Sequence, residues 1–345
     1  MALENIDFGV LQELADNPKT TDIVVTDSGK VWVDLGLGLQ EYNPRIPFDN
    51  PKILREYAVW LCAQLGKRLD DSCPIADASS SSGVRIHALI EPIVLSGAAI
   101  SIRFPALKRY CLTELSSKGM FPIELSRIFY LLVVSRANIL ITGSTGSGKT
   151  TLMKALLASC NEKDRIVTVE ETRELGRLSK DHVSLATREA NVEGAGQIDL
   201  PDLVKATLRM RPDRIILGEC RGEEIADLLR VFTCGHKGGM TTLHADKVQK
   251  VPARLMALGL LAKLEPSALC ALASDAFDVV VHVERVNGKR VVKELGVLKS
   301  TGFGALEGVP VLKLKNNSQI EATSYWPYFA SKWHLPLKPQ VVLKA

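Results

Sequence analysis

Short apolar and polar periods alternate through the first hundred residues and predict a small α+β module. Residues 6–15 read as a helix that ends before Asn17-Pro18. Residues 23–26 and 31–33 alternate apolar with polar positions around Asp27-Ser28-Gly29-Lys30, which predicts a hairpin. Pro51 opens a second helix with Ile53, Leu54, Tyr57, Leu61 and Leu65 on one face, and Gly66 closes it. A serine-rich loop at 79–82 leads into strands at 84–90 and 98–104. The polar stretch 105–121 reads as a linker.

After Pro122 the pattern changes. Continuous apolar runs at 138–142, 165–169, 183–186, 214–217 and 240–243 read as strands. Helical periods at 149–157, 200–210, 223–232 and 248–258 separate or follow them. Short strands apolar on both faces, divided by helices, predict a buried and mostly parallel sheet. A late hairpin at 278–284 and 291–295, turning at Asn287-Gly288, would add antiparallel strands at one edge. The expected organisation is an N-terminal α+β domain at 1–104, a linker at 105–121, an α/β domain at 122–299 and a C-terminal extension at 300–345.

Composition removes several classes. With 46% hydrophobic and 24% charged residues the chain is neither disordered nor low in complexity. A net charge of +4 is too small to mark a nucleic-acid binder, although residues 1–110 carry −3 and the remainder +7. Seven cysteines stand singly with no C-x-x-C pair, which argues against a disulfide framework or a zinc site and for small core thiols in a reducing compartment. The opening MALENIDFGV has no basic n-region or long apolar core, and no apolar run approaches the ~18–20 residues of a membrane span. The expectation is a protein neither secreted nor membrane-spanning.

One motif carries chemistry at every defined position. Gly143-Ser144-Thr145-Gly146-Ser147-Gly148-Lys149-Thr150 satisfies G-x-x-x-x-G-K-[ST], between the strand Ile139-Leu140-Ile141 and a helix. Its glycines let backbone N–H groups curl round a phosphate, and the helix N-terminus adds positive potential. Lys149 should reach the β- and γ-phosphates of ATP, the Thr150 hydroxyl should ligate Mg²⁺, and Thr151 continues the loop into the helix. The strand Arg214-Ile215-Ile216-Leu217 ends in Gly218-Glu219. Gly218 stands where many P-loop enzymes place Asp, so Glu219 should serve the metal, through a water. Glu170, at the end of strand Ile166-Val167-Thr168-Val169, can polarise an attacking water. Glu171 and Glu174 read as solvated or salt-bridged. His236, in a glycine-rich loop, and His244, just after strand 240–243, could each donate to a γ-phosphate oxygen.

In order, GSTGSGKTTL, IVTVEETREL, LRMRPDRIILGECRGEE and GHKGGMTTLHAD resemble the Walker A, Asp box, Walker B and His box of the type II/IV secretion ATPases. TDIVVTDSGKVWVD and VRIHALIEPIVLSGAAISIRF are similar to the Tad/Flp-pilus branch of that family, so the resemblance spans about residues 10–298. It implies an α/β fold: a RecA-like P-loop NTPase domain with a mostly parallel sheet, preceded by a small α+β domain. It also implies an ATP- and Mg²⁺-dependent homohexameric motor, cytoplasmic and peripheral at the inner membrane, working with platform proteins of a pilus or secretion system; from the charge balance no nucleic-acid partner is expected. Arg85 and Arg103 lie on strands resembling the family's arginine-bearing strands, which reach nucleotide between domains or between neighbouring subunits; Arg209 and Arg211 precede the Walker B strand and could meet the transferring charge locally. Glu171 stands where the family's Asp box carries Asp, which leaves Glu170 or Glu171 as the base.

The same loop also serves DNA translocases, including conjugative secretion ATPases, small-molecule kinases and nucleotide-binding scaffolds. A translocase needs a basic channel and stacking aromatics, which 6% aromatic content does not advertise. The separate N-terminal module speaks against a kinase, and the two carboxylates against a scaffold. Residues 300–345 fall outside the resemblance. Their Tyr325, Trp326, Tyr328, Phe329 and Trp333 could pack on the second domain, or with nearby lysines form a docking segment for a membrane platform or anionic lipid.

Overall fold

The computed structural model describes residues 6–336 and 338, apart from 37, 81, 106–108, 189, 191–194, 302–303 and 316–318. The chain divides into two compact units, Met1–Lys108 with Thr172–Gly176, and Arg109–Glu171 with Arg177–Ala345.

The first unit opens with a 3-10 turn, Gly9–Leu11, running into the four-residue helix α1 (Gln12–Ala15). The longer helix predicted there does not form, because Gly9 takes φ +50°, outside the helical region. Strands β1 (Asp22–Val25), β2 (Val31–Asp34) and β3 (Leu39–Tyr42) precede helix α2 (Pro51–Gln64). Strands β4 (Ile75–Ser79), β5 (Arg85–Ile90) and β6 (Ala98–Arg103) complete an antiparallel sheet in the order β3-β2-β1-β6-β5-β4. Asn50 caps α2 by accepting from the Lys52 N–H at 2.9 Å, and Pro51 fills the first helical position. One sheet face buries Ile23, Val25, Val31, Ile86 and Ile100 in the core shared with Leu54, Ala58 and Leu61 of α2. Period-2 alternation leaves Asp22, Arg85 and Arg103 on the other face.

The second unit contains α3 (Leu112–Ser117), α4 (Ile123–Val134), β7 (Ile139–Thr142), α5 (Lys149–Leu157), β8 (Ile166–Glu170) and β9 (His182–Ala186). There follow α6 (Leu200–Thr207), β10 (Arg214–Leu217), α7 (Glu224–Thr233), β11 (Met240–Leu243), α8 (Val251–Leu261) and α9 (Pro266–Ala276). The chain ends in β12 (Val279–Val286), β13 (Lys289–Ser300), β14 (Leu306–Lys315), β15 (Gln319–Ala322) and α10 (Trp326–Lys332). Nine strands form one sheet in the order β15-β14-β13-β12-β7-β11-β10-β8-β9. From β9 through β12 every pairing is parallel; β12 to β15 is an antiparallel meander. All residues of β7, β8, β10 and β11 are buried, as a parallel sheet covered on both faces requires.

Two expected divisions differ from this. The segment 105–121 was to be a linker, but Leu112 and Leu115 of α3 are buried and the helix packs with α4; residues 106–108 of that segment lie outside the described residues. The expected extension at 300–345 continues the sheet, since Glu294–Ser300 of β13 pairs with β14 and Trp326 and Phe329 of α10 are buried.

Candidate functional site

Parallel strands bring their C-terminal ends to one sheet edge, where open α/β sheets bind ligands. Here that edge receives the ends of β7, β8, β10 and β11, and hence the phosphate-loop sequence, Glu170, Glu219 and His244. The loop's turns are glycine-dependent: Gly146 and Gly148 sit at φ +72° and +100°. At Gly143 a Cβ would lie 2.2 Å from the Val283 carbonyl and 2.6 Å from Ser147 Oγ, so a side chain there has no room. Lys149 is buried at the start of α5, and its Nζ donates to the carbonyls of Gly143 at 2.9 Å and Ser144 at 3.0 Å. Ser147 is fully buried and its hydroxyl has no hydrogen-bond partner. A looped backbone, a buried ammonium and an orphaned hydroxyl together fit a polyphosphate. Half-buried Thr150 and Thr151 occupy the first turn of α5.

Glu170 closes β8 and is 4% exposed. On the adjacent strand, Gly218 donates its N–H to the Val169 carbonyl at 2.9 Å, and a Cβ at 218 would come within 3.1 Å of Glu170 Cγ. The Glu170 side chain thus fills the space that the glycine leaves. Glu219, one residue on, contacts a guanidinium and an imidazole. Arg221 Nη2 donates to its Oε2 at 2.7 Å, and His244 Nε2 approaches Oε1 at 2.5 Å, close but not aligned as a hydrogen bond. Burial, and then the Lys149 ammonium, hold the His244 imidazole below its ordinary range, against the opposing pull of Glu219. At neutral pH the ring is a neutral donor.

Arg221 is a candidate site residue that the motif pattern did not single out. Its Nη1 donates to Glu171 Oε2 at 2.9 Å, so one guanidinium joins the ends of β8 and β10. Glu224, buried, fixes the Arg221 backbone by accepting from the N–H groups of Arg221 and Gly222. The signal was present in Gly218-Glu219-Cys220-Arg221, an arginine two residues beyond the acid.

Three predicted residues are not at this edge. His236 precedes β11, in the loop whose Gly239 carbonyl accepts from Ile139 N–H and whose Gly239 N–H donates to Asn138 Oδ1. That is the opposite edge from His244, a four-residue strand of roughly 13 Å away. Arg209 and Arg211 sit in the turn before β10, again at the N-terminal ends of the strands. In the first unit Arg85 faces Arg103 across β5 and β6, and its Nη2 pairs with Glu174 Oε1 at 2.6 Å.

The family model described as "Type II/IV secretion system protein" matches residues 4–295. A Mycobacterium tuberculosis protein provisionally named for conjugal transfer is 37% identical over 310 residues, 88% of this chain and 87% of that one. The conjugal transfer protein TrbB of Rhizobium radiobacter is 32% identical over 286 residues, covering 81% and 84%. A crystal structure of the pilus retraction motor PilT with bound ADP aligns with a TM-score of 0.62 at 18% identity, over 87% of this chain and 85% of that one, a likeness of fold. With its mixed α/β fold and a match over most of its length, the chain belongs to the type II/IV secretion system protein family.

Proposed function

We propose that this protein is an ATP-hydrolysing motor subunit of a secretion, conjugation or pilus apparatus. The carrying observation is the convergence of Lys149, Glu170, Glu219 and His244 on one edge of a parallel sheet. A RecA-like reading of the second unit is supported by its strand order, in which β11 separates the phosphate-loop strand β7 from β10. Lys149 and the loop N–H groups would hold the β- and γ-phosphates, and Thr150 and Glu219 would hold Mg²⁺. Such an ion, when bound, would supply neutralisation of the charge that develops on the phosphates. Glu170, shielded from bulk water, orients the attacking water, and neutral His244 donates toward the γ-phosphate. Glu171, held by Arg221, is the poorer base.

The experiment compares Glu170→Gln and Glu219→Gln with wild type. Each should retain fluorescent-nucleotide affinity within a few-fold and lose at least about 10²-fold in turnover. Unchanged turnover in Glu170→Gln would move the base to Glu171 or Glu219.

The apparatus itself is a finer matter. The conjugal-transfer names of the relatives favour a conjugative motor, while the stretches at TDIVVTDSGKVWVD and VRIHALIEPIVLSGAAISIRF favour Tad/Flp pilus assembly. Both readings take a homohexamer at the cytoplasmic face of the inner membrane, docked on platform proteins. Among the described residues no helix is long and apolar enough to cross a membrane. Arg85 and Arg103 are proposed to meet nucleotide held by a neighbouring subunit. Mixing an Arg85→Ala/Arg103→Ala variant with Lys149→Ala, each inactive alone, should restore activity; full activity of the double variant by itself rejects that role.

A further inference from the structure

Three carboxylates, Glu170, Glu171 and Glu219, crowd the ends of two neighbouring strands, paired Val169 to Leu217. Like charges so placed repel and splay unless a cation spans them. Arg221 spans two of them, with one guanidinium nitrogen on Glu171 at 2.9 Å and the other on Glu219 at 2.7 Å. Its backbone is locked by Glu224, so the fork is aimed rather than adventitious. Glu219 thus lies between a guanidinium and an imidazole, on the carboxylate that a divalent cation would need.

We infer that Arg221 is a positioning residue that clasps Glu219 to Glu171 and competes with the divalent cation for Glu219. The inference rests on the motor-ATPase reading. Planarity makes the role specific to arginine: a fork can hold two carboxylates at once, whereas a lysine ammonium serves them as a point charge. Glu171 is the other end of the clasp, and it sets how firmly Arg221 is shared. Neutralising Glu171 leaves the guanidinium more strongly committed to Glu219; neutralising Arg221 releases Oε2 of Glu219 and leaves only the His244 contact at Oε1.

The two changes therefore push cation affinity in opposite directions. The test is Mg²⁺ titration of fluorescent ADP binding to the full chain, alongside steady-state ATP turnover and melting temperature. Arg221→Gln should lower the half-saturating Mg²⁺ concentration about three- to tenfold and reduce kcat about tenfold with a smaller change in KM. Glu171→Gln should raise the half-saturating Mg²⁺ concentration. Arg221→Lys keeps the charge but should give at least half the Arg221→Gln shift. Arg221 and Glu171 are both about half exposed, so neither variant disturbs the core. Shifts in the same direction, no shift in either, or wild-type behaviour of Arg221→Lys would overturn the clasp. Failure of the wild-type chain to bind Mg²⁺ with ADP would instead overturn the ATPase reading beneath it.

Discussion

Lys149→Ala should lower ATP turnover by about 10²–10³-fold or more, the cost of deleting a preorganised charge aimed at developing negative charge. The ammonium is buried in the loop that would wrap the phosphates, so water cannot replace it. It donates to the Gly143 and Ser144 carbonyls, which hold it folded against the loop. Removing it also withdraws a donor from those two carbonyls, a cost of about 1–3 kcal/mol if both stay dry. Activity and stability thus fall together but by different amounts, and the two measurements separate them. A variant whose turnover drops less than tenfold at an unchanged melting temperature would place the phosphates elsewhere. Loss of nucleotide affinity should exceed that of Glu170→Gln, because Lys149 meets the bound phosphates in the ground state as well.

Local sequence carried the site's components, and topology carried its geometry. The phosphate loop was legible because each of its residues answers a local demand: glycines for positive φ, a lysine and a threonine at the helix start. The strands β7, β8, β10 and β11 were legible because burial on both faces leaves unbroken apolar runs. Which histidine belongs to the site was not legible, since His236 and His244 are close in sequence yet lie at opposite ends of β11. Only strand direction separates them. Strands β3 and β4 were hidden for another reason: β3, LQEY, is largely exposed, and β4 buries only Ala76 and Ala78. The meander after residue 299 depends on a distant partner. Gly308 of β14 approaches the Val248 carbonyl so closely that a Cβ would lie 2.0 Å from it, a contact no local pattern announces. Charge partners were the least legible, because Arg221, Glu171 and Glu219 meet across two strands.

Asp164→Ala should be the most destabilising single polar substitution in the second unit. Asp164 accepts from Arg214 Nε at 2.6 Å and from Arg136 Nη2 at 2.9 Å. Arg214 opens β10 with its side chain 2% exposed, and its remaining nitrogens reach the carbonyls of Val133 and Gly238. Those carbonyls satisfy N–H groups but do not neutralise charge. Deleting the carboxylate leaves a buried guanidinium without a counter-ion, a cost of about 3–5 kcal/mol. For a unit of this size that corresponds to a fall of about 10 °C in melting temperature. Removing both charges should recover much of the loss: Asp164→Ala/Arg214→Met should be more stable than Asp164→Ala alone, because the desolvation penalty leaves with the guanidinium. Thermal and urea unfolding of the single and double variants measure this, and a single-variant loss under about 1 kcal/mol would mean that water reaches Arg214. The network lies at the N-terminal ends of β8 and β10, a strand's length from Glu170 and Glu219. Turnover of Asp164→Ala, measured well below its lowered melting temperature, should therefore stay within a few-fold of wild type, whereas Lys149→Ala stays inactive at every temperature.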